Sequence, residues 1–97
     1  MKIKWSREAL SNLTQIEDYI AEDNPVAANN LVDKIIFLGE DLKNFPNKGR
    51  IVPELSLEQI REILHKNYRI VYLIKKNSIE ILTVFEGHKL LYVKYLR

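Results

Sequence analysis

The chain of 97 residues is 46% hydrophobic and 29% charged, which is typical of one globular domain spanning residues 1–97 and argues against disorder. It has no cysteine, which excludes disulfides, zinc–cysteine sites and thiol nucleophiles and suits a reducing, cytoplasmic setting. The net charge is +2, but residues 1–48 hold six Lys/Arg against eight Asp/Glu and residues 49–97 hold nine against five. This positive half suits an acidic partner or nucleic acid, but the excess is too small to predict DNA binding by itself. No apolar run is long enough to predict a membrane span or a signal peptide.

The N-terminal segment predicts a short strand followed by a helix. Lys2 to Trp5 alternates charged and apolar residues, and Ser6 is typical of a helix N-cap. The helix is expected to end near residues 22–23. Its buried face is predicted from apolar residues at steps of three and four: Ala9, Leu13, Ile16 and Ile20.

A second helix is expected to begin at once, because Asn24 can cap it and Pro25 is tolerated at its first position. Its apolar stripe shows the clearest periodicity of the chain: Ala28, Leu31, Ile35, Leu38, Leu42 and Phe45. Two helices with so short a link predict an antiparallel hairpin packed against a sheet. Ile36 and Phe37 lie beside the stripe and leave apolar surface that a partner could cover.

The second half is rich in Ile, Val and Tyr and predicts the strands of an antiparallel sheet, at residues 51–52, 60–64, 68–74 and 79–85. Lys76-Asn77-Ser78 predicts a hairpin that brings Arg69 to the same end as the segment Phe85 to His88. Residues 89–97 fit a strand or a short helix equally well. The predicted fold class is therefore α+β, with a short N-terminal strand and a two-helix hairpin on a sheet of three to four strands.

Charged residues are interleaved with these strands, since three Arg and three Glu fall between Gly49 and Tyr72. Charges on rigid strands suit a phosphate or a partner carboxylate, but they can equally form ion pairs with one another. Arg61 and Glu62 are adjacent, so they point to opposite faces and cannot share one site. Ion pairing within the sheet is the favoured role of Glu62.

The fragments, taken in order, resemble the RelE/ParE superfamily of toxins from bacterial type II toxin–antitoxin modules. The resemblance covers nearly the whole length and rests on Trp5-Ser6 with Ala9, Tyr19-Ile20-Ala21, Asp23-Asn24-Pro25 with Ala27-Ala28, Leu42 with Pro46, Gly49-Arg50, Val52-Pro53-Glu54, Ile60-Arg61-Glu62, Tyr68-Arg69-Ile70-Val71-Tyr72 and Ile81-Leu82-Thr83-Val84. It implies a helical hairpin on a curled antiparallel sheet. The Asn-Pro junction, Val-Pro-Glu, Ile-Arg-Glu and Tyr-Arg-Ile-Val-Tyr resemble the ParE-like branch most closely.

The resemblance implies two alternative targets. ParE-like members are associated with poisoning DNA gyrase, whereas RelE-like members cut messenger RNA on the ribosome. In either case it implies a cognate antitoxin and a toxin–antitoxin hetero-oligomer. The sequence departs from the pattern at Glu86, where many relatives have a His, and at Lys89, near which they have an Arg. This departure also leaves open a third function, a non-toxic domain that only binds its antitoxin.

Under the ribonuclease alternative, the resemblance implies Glu54 as base, Arg69 as phosphate clamp and His88 as acid. Possible reinforcements are Lys89, Arg61 and His65. The structural alternative is that Arg69 pairs with Glu86 or Glu62, Glu54 ends a turn and His88 is a surface residue. The residues expected to contact the target or an acidic antitoxin are Arg50, Arg61, Arg69 and Lys89. No cofactor and no metal site are expected.

Overall fold

The computed structural model describes residues 1–87. His88 and Lys89, two of the candidate site residues, lie outside the described residues, as does the tail 89–97. The elements in chain order are β1 (Lys2–Trp5), α1 (Arg7–Ala21), α2 (Pro25–Glu40), a 3-10 helix (Asp41–Lys43), β2 (Arg50–Ile51), β3 (Ile60–His65), β4 (Tyr68–Ile74) and β5 (Ser78–Glu86).

Both helices begin at the predicted caps. The Ser6 hydroxyl oxygen accepts a hydrogen bond from the Ala9 amide at 2.9 Å, and the Asn24 side-chain oxygen accepts one from the Ala27 amide at 3.0 Å. Each cap satisfies a first-turn amide that has no partner within the helix. The predicted hairpin is confirmed, because α1 packs against α2 and α1 also packs on β5.

The end of the second helix differs from the prediction. The α-helix ends at Glu40, and a 3-10 helix follows it at Asp41–Lys43. A 3-10 helix has about three residues per turn, whereas an α-helix has 3.6. Leu42, within the 3-10 helix, is fully buried, whereas Phe45 lies beyond the end of that helix at Lys43 and is 58% exposed. The assignment of Phe45 to the buried stripe is therefore wrong.

The sheet has five strands in the order β1-β5-β4-β3-β2, one more than the largest number predicted. It is mixed rather than purely antiparallel, because β1 pairs in parallel with β5, with Lys2 opposite Ser78 and Trp5 opposite Ile81. A parallel pair needs a long crossover, and the helical hairpin supplies part of it. The predicted β4–β5 hairpin is confirmed and sets Arg69 opposite Phe85.

Apolar residues cover both faces of this sheet. The larger cluster lies under the helices and contains Ile35, Leu42, Ile70, Tyr72 and Ile81 among its buried members. The smaller cluster lies on the far face and is built from Val52, Ile60 and Val71, with Leu55 and Leu57 packed against it. Residues 52–57 thus cover part of the far face, and two charged strand residues, Glu62 and Arg69, are buried there.

Candidate functional site: a charged network on the far face of the sheet

Four charged side chains meet on the far face of the sheet and are called here the charged network: Arg50, Glu54, Glu62 and Arg69. Register explains how three of them converge. Glu62 lies opposite Val71 and Arg50, while Arg69 lies two residues before Val71, on the same face of β4. Glu54 comes from the segment between β2 and β3, directly after Val52-Pro53.

The network is a continuous chain of charge-assisted hydrogen bonds. The Arg69 Nε donates to Glu62 Oε1 at 2.6 Å, and its two terminal nitrogens donate to the two Glu54 oxygens, each at 2.7 Å. The second Glu62 oxygen accepts from Arg50 Nε at 2.7 Å. Parallel bonds from one guanidinium to one carboxylate form the strongest and most directional ion pair available to side chains.

Burial is greatest at the centre of this chain of side chains, which runs Glu54–Arg69–Glu62–Arg50, and falls toward both of its ends. The Glu62 side chain is 0% exposed and that of Arg69 is 6% exposed, whereas Glu54 is 27% and Arg50 54% exposed. A buried carboxylate needs partners for both oxygens, and two arginines provide them. The inner half is therefore fixed structure, and the outer half can meet another molecule.

Electrostatics agree with this geometry. The hydrogen bond to Glu54 raises the pKa of Arg69 above its ordinary value, burial opposes the rise, and Glu62 adds to it. The guanidinium also lies 5.2 Å from the centre of the Phe85 ring, within the range of a cation–π contact. Arg69 is therefore a permanent cation held by two carboxylates and an aromatic face.

The turn before β2 is fixed by the hydroxyl of Tyr72. Its hydroxyl donates to the Pro46 carbonyl at 2.8 Å and accepts from the Gly49 amide at 2.9 Å. A Cβ at Gly49 would lie 2.6 Å from the Glu62 carbonyl oxygen, so only glycine fits without movement. The sequence signal that could have indicated these bonds is a Tyr within an apolar strand, because the hydroxyl of a buried Tyr needs a hydrogen-bond partner.

Arg61 belongs to a different set of contacts, as expected from its position next to Glu62. Its Nη1 donates to the Gly49 carbonyl at 3.0 Å and its Nε to the Glu58 carbonyl at 3.1 Å. Arg61 therefore braces the backbone on either side of β2 and does not join the charged network. His65, a possible reinforcement, ends β3, and a tight turn follows it at residues 66–67.

Glu54 and Arg69, two members of the predicted catalytic set, do lie together, but they bind each other. Glu62 pairs with Arg69, as the structural alternative expected, and Glu54 does more than end a turn. The predicted ion-pairing role of Glu62 is confirmed, and its link to Arg50 was not anticipated. The Arg50–Glu62 contact depends on the register between β2 and β3, which could not be predicted from the sequence.

The network opens into a concavity of about 440 Å3 lined in part by Arg50, Glu54, Lys66 and Tyr68. Burial raises the pKa of Tyr68, and Glu86 raises it further, so its hydroxyl stays protonated near neutral pH. A phosphate entering here would have to replace Glu54 on Arg69 before it could be clamped. The arrangement therefore suits recognition of a partner better than chemistry in its present form.

Two kinds of site are not found in residues 1–87. No three His, Cys, Asp or Glu side chains in that part are grouped so that they could hold a metal ion. Within the same range, neither helix has the length and apolar character needed to cross a bilayer.

Comparisons with known proteins agree with the architecture. The family model described as "ParE toxin of type II toxin-antitoxin system, parDE" matches residues 3–91. The chain is 33% identical over 90 residues to "Putative toxin Y4kP" of Sinorhizobium fredii, covering 91% of this chain and 90% of that protein. It is 30% identical over 63 residues to Toxin RelE2 of Caulobacter vibrioides, covering 65% of this chain and 67% of that protein.

Two solved structures share the fold. A chain of the chromosomal ParDE toxin–antitoxin system from P. aeruginosa superposes with a TM-score of 0.72 at 25% identity, covering 89% of this chain and 95% of that chain. A chain of the RelBE2 toxin–antitoxin complex from Mycobacterium tuberculosis superposes with a TM-score of 0.60 at 19% identity, covering 88% of each. The helical hairpin on a mixed sheet is therefore the fold of these toxins, and the chain belongs to the ParE toxin family of type II toxin–antitoxin systems, within the RelE/ParE superfamily.

Proposed function

We propose that this protein inhibits growth by binding DNA gyrase and holding it in a damaging state, and that a cognate antitoxin neutralises it. Support for the target comes from the match to the ParE family model over residues 3–91 and from the likeness to a chain of a ParDE system. Toxicity in this proposal comes from binding, and no side chain of the protein makes or breaks a bond.

The observation that carries the proposal is the state of Arg69. Its Nε and both terminal nitrogens donate to carboxylates at 2.6–2.7 Å, and the side chain is 6% exposed. A phosphate clamp needs donors aimed at the place where negative charge develops. A guanidinium already satisfied by Glu54 and Glu62 lacks that arrangement, which favours a structural role for the pair.

The second candidate is ribosome-dependent cleavage of messenger RNA, with Glu54 as base, Arg69 as clamp and His88 as acid. It is favoured by the meeting of Glu54 and Arg69 beside an open concavity, and by the likeness to Toxin RelE2. It requires Glu54 to leave Arg69 when RNA arrives. The cost of that exchange is the loss of a bidentate ion pair, which the incoming phosphate would have to replace.

The antitoxin is proposed to approach the outer part of the charged network with an acidic segment. Arg50 is the best placed contact, because its side chain is 54% exposed while its Nε stays bound to Glu62. An acidic segment could use the remaining guanidinium N–H groups of Arg50 without breaking the buried pair. Lys89, also expected to contact the antitoxin, remains a prediction.

The test applies the purified, antitoxin-free protein in two assays, supercoiling by purified gyrase and integrity of messenger RNA in a translating extract. We expect supercoiling to be inhibited and the message to stay intact. Glu54→Gln is the informative variant, because it removes the proposed base and keeps side-chain volume. Glu58→Gln serves as the matched control, since Glu58 is an exposed residue of the same segment.

Gyrase inhibition that survives Glu54→Gln supports action by binding. Cleaved message with unaffected gyrase, abolished by Glu54→Gln and not by Glu58→Gln, would establish the ribonuclease instead. Growth that continues when the protein is expressed alone, while an antitoxin still binds it, would establish the third alternative, a non-toxic antitoxin-binding domain.

A further inference from the structure

A second concavity, of about 330 Å3, lies between α2 and the turn that joins β3 to β4. On the helix it is lined by Ala27, Asn30, Leu31 and Lys34, which recur at steps of three, one and three and therefore share one helical face. His65 and Lys66 line it from the turn. Of these residues, Lys66 also lines the concavity of the charged network.

The cations of this site have no acidic partner in residues 1–87, in contrast to Arg50 and Arg69. Lys34 makes no ion pair there; its Nζ lies 5.4 Å from the centre of the Phe37 ring, which steadies the long side chain. Lys66 likewise forms no ion pair within the described part of the chain. The residues that α2 contributes to the lining include no Asp or Glu.

The backbone at Lys66 is unusual as well. Its φ is 53°, in the left-handed region that glycine and asparagine adopt more readily than lysine. Asn67, the next residue, would adopt the left-handed conformation at lower cost, but in this turn Lys66 is the residue that adopts it. The left-handed backbone at Lys66 places the start of its side chain beside the concavity.

The pKa of His65 is affected by the two lysines of the site. Burial lowers the pKa of His65, and the nearby Lys66 and Lys34 lower it further because they disfavour a third positive charge. Tyr68, which lies opposite His65 in the β3–β4 register, is neutral and does not offset them. A site where cationic groups repel one another favours the entry of an anion that can contact both lysines.

We propose that this concavity binds a phosphate group through Lys34 and Lys66, with the Asn30 amide and the His65 ring as additional donors. Lysine ammonium groups bind phosphate as compact point charges, and two of them beside one concavity can act on the same tetrahedral group. The phosphate can be free or part of a nucleic-acid backbone, because the recognising chemistry is the same. The site is independent of the gyrase proposal.

The test follows the ring signals of His65 by NMR while inorganic phosphate is added at constant ionic strength, with chloride as the balancing anion. The chain has two histidines, so His88→Gln identifies the His65 signals. We expect a saturable shift and a rise in the pKa of His65, since a bound anion favours the charged ring. Lys34→Gln and Lys66→Gln should each weaken phosphate binding about tenfold, the loss of one charge-assisted contact. Lys43→Gln, on the 3-10 helix, should leave it unchanged, and backbone spectra report that each variant is folded.

Two further probes separate the sources of the anion. A short single-stranded DNA oligonucleotide should compete with inorganic phosphate at this site if backbone phosphates are accepted, whereas displacement by phosphate alone assigns the site to the free ion. A triglutamate peptide should not compete. An equal response to triglutamate or to chloride, or a phosphate shift that does not saturate and ignores Lys34→Gln, would overturn the proposal.

Discussion

Replacement of Glu62 by glutamine removes the centre of the charged network and leaves its shape intact. The native carboxylate is 0% exposed and accepts from Arg69 at 2.6 Å and from Arg50 at 2.7 Å. Glutamine keeps one acceptor oxygen and introduces an NH2 group, which would face a guanidinium donor. One arginine contact must therefore be lost, and an amide donor is left buried without an acceptor.

The expected cost is large for this domain. Removal of one partner from a buried ion pair destabilises proteins by about 3–5 kcal/mol, and small domains have about 5–15 kcal/mol in total. Because Arg69 keeps its bidentate bond to Glu54, we expect a value near the lower end, about 3 kcal/mol. Glu80→Gln is the matched control: Glu80 pairs with Lys75 at 3.1 Å, with side chains 31% and 49% exposed, and such a pair contributes about 0–1 kcal/mol.

Urea unfolding followed by fluorescence measures both variants. Trp5 is the single tryptophan, and its indole N–H donates to Glu40 at 2.8 Å, so its emission reports the packing of β1 against the 3-10 helix region. With a denaturant dependence of about 1–3 kcal/mol/M, the midpoint for Glu62→Gln should fall by at least about 1 M. If Glu62→Gln unfolds at the same urea concentration as Glu80→Gln, the network does not stabilise the fold as argued.

Further predictions concern single contacts. Tyr72→Phe should cost about 1–3 kcal/mol in urea unfolding, because it leaves the Gly49 amide and a carbonyl without their partner, whereas Tyr19→Phe, at a residue 76% exposed, should cost nothing measurable. Gly49→Ala should destabilise by about 1–3 kcal/mol, since the added Cβ would meet the Glu62 carbonyl oxygen at 2.6 Å; a melting temperature equal to wild type would contradict this. Lys66→Gln should raise the pKa of His65 in an NMR pH titration, and an unchanged value would show that Lys66 does not act on the ring.

The same lowered pKa sets the sign of one pH effect on stability. Because folding lowers the pKa of His65, the unfolded state binds more protons once the pH falls below about 6.5, the ordinary histidine value. His65 therefore lowers the free energy of unfolding as the pH falls through this window and ceases to do so below the folded pKa. His65→Gln should flatten the pH dependence of the urea midpoint there, while saturating phosphate should offset the loss in the native protein.

Sequence patterns predicted correctly those elements that depend on interactions between residues close together in the chain. The caps at Ser6 and Asn24, the α2 stripe and the β4–β5 hairpin depend on residues a few positions apart, and each is present. Phe45 was misassigned because the helical segment ends at Lys43, so the spacing of the α-helical stripe no longer applies at residue 45. The parallel placement of β1 was missed because alternation in Lys2 to Trp5 indicates a strand without indicating its neighbour.

The site was predictable as a set of residues but not as a set of contacts. Sequence singled out Glu54 and Arg69, yet their bidentate bond spans 15 positions and depends on how residues 52–57 fold over the sheet. Asn12 gave no signal at all, although its side-chain oxygen accepts from the Val84 amide at 2.9 Å and from the Thr83 hydroxyl at 3.0 Å. These bonds lie close to Val71/Tyr72, where the β4–β5 register is irregular. No pattern in the sequence predicts this irregularity.

The parallel pairing of β1 with β5 has a consequence for biosynthesis. Ser6 bonds to Leu82 across 76 positions, so the first strand to leave the ribosome waits for the last described strand before it finds its neighbour. Contacts of such long range slow folding, because most of the chain must be ordered to close them. A nascent chain therefore cannot complete the sheet during most of its own translation. Until β5 has been synthesised, β1 has no strand to pair with.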